Sequence, residues 1–126
     1  MIRGMEAILL SSEDAQKLAD FYKEKVGLKR TQEMEMGENG EKGFEFELSG
    51  ISLYITDHSE VKGKSRDPSR VMFNLEVDDI EKEVTRLDKE DVKKVQDIYH
   101  VEGYGLIATL EDIDGNYFQF VQIRAS

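Results

Sequence analysis

The sequence predicts an α+β chain of two tandem β-α-β-β-β units, and three observations carry that expectation. Asp14 and Asp79, 65 residues apart, each stand after an apolar run and before a helical pattern. At the same offset Ala15, Ala19 and Tyr22 map onto Ile80, Val84 and Leu87, both sets at the i, i+4, i+7 spacing of an amphipathic helix. Gly40 and Gly50 map likewise onto Gly105 and Gly115, and Ile51-Ser52-Leu53-Tyr54-Ile55 onto Asn116-Tyr117-Phe118-Gln119-Phe120. One constant offset thus aligns a helix, two glycines and a strand.

The elements follow in order. A strand is expected over about 5–11, apolar at Ile8, Leu9 and Leu10. Ser11 or Ser12 is the expected cap of a helix, with Ser11 and Asp14 at capping-box spacing. The helix runs to about Val26 and stops at Gly27. Strands follow near 28–36, 43–49 and 51–56. Phe44-Glu45-Phe46-Glu47-Leu48 alternates with period two, as a half-buried antiparallel strand does. Glu45 and Glu47 fall on its solvent side and read as an exposed strand face. Residues 57–70 are polar and hold the sole proline, Pro68. The chain reads as one domain, with a first unit over about 1–57, a linker over about 58–70 and a second unit over about 71–126. The second unit is expected to hold a strand at 71–77, a helix from Asp78 or Asp79 to about Leu87, and strands near 92–99, 105–111 and 117–123. Asp112-Ile113-Asp114-Gly115-Asn116 is a turn, because Asp, Asn and Gly tolerate the backbone angles required. One helix packs on the outer face of each sheet.

Composition narrows the function classes. Of 126 residues 39% are hydrophobic and 35% charged, a normal core inside a highly charged surface. The net charge is −10, shared evenly: 8 basic and 13 acidic groups in residues 1–63, 9 and 14 in residues 64–126. Such a surface repels phosphate backbones, so no nucleic-acid partner is expected, while cationic small molecules are attracted. The absence of cysteine excludes disulfides, thiolate metal sites and a thiol nucleophile. No apolar run approaches the ~20 residues of a membrane span, and the first residues lack a signal-peptide core. A cytoplasmic protein without membrane partner is the expectation.

Several motifs resemble one family. Ala7-Ile8-Leu9-Leu10 through Asp14 to Phe21-Tyr22, then Val26-Gly27-Leu28, is similar to the opening of the vicinal oxygen chelate superfamily. Phe73-Asn74-Leu75-Glu76-Val77-Asp78-Asp79 resembles the strand that opens its second half. The segment from Gly105 to Val121 resembles its closing hairpin, with Ile113 in place of the usual proline. That group includes glyoxalase I, extradiol dioxygenases, fosfomycin-modifying enzymes and bleomycin-binding proteins. The resemblance implies curved mixed sheets around a cleft, and in the enzymes a divalent metal held by His, Glu or Gln on four strands. Those positions fall here on Ala7, Tyr54, Met72 and Gln119. This donor set is too weak for such a metal, so neither a metal nor another cofactor is expected, and metal-dependent glyoxalase or dioxygenase activity is disfavoured.

Alternation then gives an expected ligand-binding lining of Ala7, Leu9, Ser52, Tyr54, Met72, Asn74, Glu76, Tyr117 and Gln119, with Thr56 and Val121 on the same faces. It is apolar and aromatic with a few polar groups, as ligand sites are. No catalytic residue is identified: no Ser-His-Asp constellation can be argued from spacing, and His58 and His100 read as solvated loop and strand-end residues. The function expected is a metal-free binding protein for a small organic ligand, cationic or aromatic, similar to the bleomycin-resistance members. The alternatives are a metal-independent isomerase or lyase using Glu76 or His100 as base, and a non-catalytic dimeric domain. A homodimer is expected because an open sheet face left wet favours a partner.

Overall fold

The computed structural model describes residues 1–123, and the chain divides into two compact units, Met1–Gly63 and Lys64–Ser126. The first unit contains β1 (Ala7–Ser12), α1 (Ala15–Phe21), β2 (Arg30–Glu35), β3 (Lys42–Leu48) and β4 (Ile51–Asp57). The second contains β5 (Phe73–Glu76), α2 (Ile80–Lys89), β6 (Lys93–Val101), β7 (Gly105–Glu111) and β8 (Tyr117–Ile123). Each unit forms its own four-stranded mixed sheet, in the orders β1-β4-β3-β2 and β5-β8-β7-β6. The first strand of each runs parallel to the last, and the remaining pairs are antiparallel. The fold class is therefore α+β, with the two-unit repeat read from the sequence.

Period-two alternation decides which sheet face is buried. Phe44 and Phe46 on β3 pair with Ile55 and Leu53 on β4, and all four are buried. They pack with Leu18, Ala19 and Tyr22, which the helical period brings to one side. In the second unit Leu110, Ala108, Phe118 and Phe120 form the same layer with Ile80, Val84 and Leu87 of α2. Removing such side chains from water is the main force holding each helix to its sheet.

The caps differ from the sequence expectation. Asp14, not Ser11 or Ser12, is the N-cap of α1, its carboxylate accepting from the Lys17 N–H; Asp79 does the same for α2 with the Lys82 N–H. The hydroxyl of buried Ser12 instead accepts the N–H of Asp14. A one-residue difference in where the chain leaves the strand shifts the capping role to the longer acidic side chain. The first N–H of each helix has a further acceptor on the last strand of its unit. Asp57 Oδ1 takes the Ala15 N–H at 2.8 Å, and Gln122 Oε1 takes the Ile80 N–H at 2.8 Å. Asp57 and Gln122 are again 65 residues apart.

The first helix is not α-helical to Val26. Residues Tyr22–Val26 widen into a π turn, and Gly27, at φ 95°, closes it with its N–H on the Tyr22 carbonyl. The offset also changes within the sheet. Glu45 pairs with Tyr54, whereas Gln119 pairs with Thr109, so β3 and β7 are related by 64 residues while β4 and β8 are related by 65. The β7–β8 connection has one more residue, and Gly40 is consequently not the counterpart of Gly105. Both outer hairpins carry a register shift at matching places, between Arg30 and Gln32 and between Lys94 and Gln96.

Candidate functional site

Each sheet has one face against its helix and one face without a helix. The open face of the first unit carries a row across all four strands: Leu9, Tyr54, Glu45 and Gln32, in hydrogen-bonding register. The second unit repeats it as Asn74, Gln119, Thr109 and Gln96. Central positions of both rows are polar pairs across the middle hairpin. Tyr54 donates to Glu45 at 2.8 Å, and the Gln119 amide donates to the Thr109 hydroxyl at 2.9 Å.

Glu45 collects three hydroxyls. Its Oε2 accepts from Tyr54 at 2.8 Å and Ser52 at 3.1 Å, and its Oε1 accepts from Thr31 at 3.3 Å. Thr31 reaches it because it is the extra residue at the register shift in β2. Hydrogen bonds to the ionised form favour that form. The Tyr54 hydroxyl foremost, against an opposing effect of burial and with help from Ser52 and Thr31, holds the Glu45 carboxyl below its ordinary value of 4.5. The same bond, with burial and the neighbouring charge adding to it, raises the Tyr54 phenol above 10.0. At neutral pH the pair is therefore a fixed anion beside an intact phenol.

The structure places the residues expected to line a ligand site as follows, each within its own unit. Ala7 pairs with Ser52, and Leu9, 63% exposed, pairs with Tyr54. Asn74 pairs with Gln119, and Glu76, exposed at the end of β5, pairs with Val121. The Asn74 amide donates to the Tyr104 hydroxyl at 3.2 Å. Tyr117 pairs with Glu111, and Met72 stands just ahead of β5. Thr56 and Val121 are buried.

Glu45 is the residue that sequence reasoning misjudged. Alternation put it on the solvent side, which holds, but it is half-buried and bonded, whereas Glu47 is exposed. The available signal was the Tyr54–Glu45 pairing across a two-residue turn at Ser49-Gly50. His58 is exposed and its Nδ1 accepts the Glu60 N–H. His100, exposed and paired with Leu106, is the next-to-last residue of β6, at the strand end the sequence indicates.

The four positions aligned with a divalent-metal site offer a methyl, a phenol, a thioether and an amide. The phenol hydrogen is directed to Glu45 and the amide hydrogen to Thr109. Among the described residues no three His, Cys, Asp or Glu side chains converge. These residues do not fit a divalent metal.

The sequence profile of the Glyoxalase/Bleomycin resistance protein/Dioxygenase superfamily matches residues 4–120. No curated protein matches the sequence. Among solved structures, SMU.1112c superposes with a TM-score of 0.80 at 16% identity, covering 97% of this chain and 100% of that one. TnmS3, an antibiotic binding protein from Streptomyces sp. CB03234, gives 0.76 at 22% identity over 97% of both chains. The trypanothione-dependent glyoxalase I of Leishmania major gives 0.76 at 22% identity, covering 96% of this chain and 87% of that one. At such identities the likeness shows the fold alone.

Proposed function

The chain belongs to the Glyoxalase/Bleomycin resistance protein/Dioxygenase superfamily, and from that premise we propose that it is a metal-free binding protein for a cationic or aromatic organic compound. The observation that carries the proposal is the Glu45–Tyr54 pair. A carboxylate kept ionised by three hydroxyls is a poor proton acceptor and a good counter-ion. Tyr54 adds an aromatic ring next to it, and exposed Leu9 extends the apolar surface of the same row. An organic cation gains an ion pair and a cation–π contact there. The −10 surface raises the local concentration of cations, an effect that salt weakens. An antibiotic binding protein of the same fold supports a sequestering role.

Catalysis by the alternative bases has less support. Among the described residues Glu76 and His100 make no side-chain hydrogen bond or ion pair, so nothing orients either as a general base. The proposed assembly is a homodimer in the cytoplasm, and sedimentation should then give about twice the 14.5 kDa chain mass.

The test of binding is calorimetric titration with 1-naphthylmethylammonium. Saturable binding is expected, weakened about tenfold by Glu45→Gln and abolished by Tyr54→Ala. Affinity that is unchanged in Glu45→Gln refutes the assignment. Turnover of the bound compound would replace it with an enzyme.

A further inference from the structure

A second feature belongs to the other unit. In the unit Lys64–Ser126 an open cavity of about 480 Å³ is lined by Arg66, Asp67, Pro68, Ser69, Arg70 and Tyr117. Its volume is in the range of small-molecule sites. From its chemistry we infer that this cavity is a subsite for a planar aromatic carboxylate, whose charged group the two arginines hold while Tyr117 packs on the ring.

The local charge is opposite to that of the chain. Residues 62–70 contain Lys62, Lys64, Arg66 and Arg70 against the single acid Asp67, in a protein of net charge −10. Among the described residues Arg66 makes no ion pair. Arg70 has only Asp67, at 4.0 Å, with side chains 78% and 74% exposed. An exposed pair at that distance contributes little, so an incoming carboxylate displaces Asp67 from Arg70 at small cost. Two guanidinium forks match a carboxylate in shape and donor number, and guanidinium planes also stack on aromatic faces.

The cavity wall is built rather than a loose loop. The Ser65 N–H donates to the Asp114 carbonyl at 2.8 Å, and the Arg70 N–H donates to the Asp67 carbonyl at 3.0 Å. Pro68, half-buried, fixes the backbone between the two arginines. Tyr117, also in the lining, follows a turn knotted by Asp112. That buried carboxylate accepts from the Asp114 N–H, the Asn116 N–H and the Asn116 amide, at 2.9, 2.9 and 3.0 Å. Gly115 makes the fit possible, because a Cβ there would lie 3.1 Å from the Lys64 Cβ and 3.4 Å from the Ser65 nitrogen, on a backbone with φ +77°. Glu111, the cross-strand partner of Tyr117, is already paired with Lys93 at 3.4 Å, which reduces its repulsion of an anion.

The probe is 1-naphthoate, with 1-naphthylmethylammonium as the same ring bearing the opposite charge and acetate as the same anion without a ring. Binding is followed by calorimetry and by the amide resonances of Ser69 and Tyr117. Sub-millimolar naphthoate binding is expected, with shifts confined to those residues. It should weaken at least tenfold in the Arg66→Gln/Arg70→Gln double variant and in Tyr117→Leu, and should fall as salt is raised. The arginines are exposed, so the double variant should keep the fold, and its circular dichroism verifies that. Glu45→Gln should leave naphthoate affinity unchanged while weakening the naphthylmethylammonium complex. The two proposals therefore fail separately. Absence of naphthoate binding, affinity unaltered by loss of both arginines, or acetate binding as tightly as naphthoate would each overturn the inference.

Discussion

Replacing Asp57 by alanine should destabilise the first unit about twice as much as replacing Gln122 by alanine destabilises the second. Both side chains lie in the last two positions of the last strand of their unit and accept the first N–H of its helix, at 2.8 Å in each case. Asp57 does more. Its second oxygen accepts the Lys42 N–H at 2.9 Å, so one carboxylate joins the start of α1 to the start of β3. A hydrogen bond to an ionised acceptor contributes roughly 1.5 kcal/mol or more, and one to a neutral amide oxygen about 1 kcal/mol. Asp57→Ala removes two of the former, and partial exposure of the site lets water recover some of the loss, leaving a net cost of about 2 kcal/mol. Gln122→Ala removes one of the latter, about 1 kcal/mol. Asp57→Asn keeps one acceptor oxygen and should fall between. Urea unfolding followed by far-ultraviolet circular dichroism resolves these values. With a slope of about 1.5 kcal/mol per molar, the midpoints should drop by about 1.3 M and about 0.7 M. An Asp57→Ala protein no less stable than Gln122→Ala would refute the assignment of both N–H groups to the one carboxylate.

Other outcomes follow from particular residues. Asp91 is the single non-glycine residue at positive φ, 60°, among those described, so Asp91→Gly should raise stability by about 0.5–1 kcal/mol in the same urea assay. Because hydroxyl bonds lower the Glu45 pKa in the folded chain, its stabilising contribution is present at neutral pH and is lost as pH falls through a value below 4.5. Carboxyl carbon NMR titration should show the Glu45 pKa rising in Tyr54→Phe, since the largest of those bonds is gone; no rise would remove Tyr54 as the cause. Elemental analysis of protein purified without chelator should find no stoichiometric zinc, nickel, manganese or iron, and one dialysis-resistant equivalent would contradict the weak donor set of Ala7, Tyr54, Met72 and Gln119.

The elements were legible because burial imposes a period on the sequence. The stripes Ala15, Ala19, Tyr22 and Ile80, Val84, Leu87 both mark the inner side of a helix, and the alternation of Phe44 and Phe46 marks the inner side of a strand. What periodicity does not encode is the partner across a strand. A constant 65-residue offset sets Glu45 opposite Leu110, a buried residue, and so hides that its counterpart is Thr109. One residue added in the Asp112–Asn116 turn is enough, because a single-residue slip exchanges the two faces of a strand. The π turn at Tyr22–Val26 leaves no trace either, since Tyr22 and Val26 are apolar and four apart as in an ordinary helix. The arginine cavity was hidden for another reason: residues 57–70 carry no period, so they read only as a polar linker.

The two open faces then explain how a duplicated scaffold diverges in chemistry without altering its frame. Leu9, Tyr54, Glu45 and Gln32 occupy the same row as Asn74, Gln119, Thr109 and Gln96, and in both rows the middle pair is bonded across the hairpin. Backbone register fixes where the pair sits; the side chains alone decide its charge. In the first unit the pair is an anion held by hydroxyls, suited to a cation. In the second it is an amide bonded to a hydroxyl, neutral at every pH, suited to directional hydrogen bonds. Exchange of these pairs is consequently the sharpest probe of the scaffold. Thr109→Glu with Gln119→Tyr should build a second carboxylate–phenol pair in the same register, and a new naphthylmethylammonium site should appear in the calorimetric stoichiometry. A doubly substituted protein that folds but gains no site would mean that the pair alone does not make the site, since Thr109 is 6% exposed and the second unit lacks counterparts of Ser52 and Thr31, which hold the carboxylate in the first.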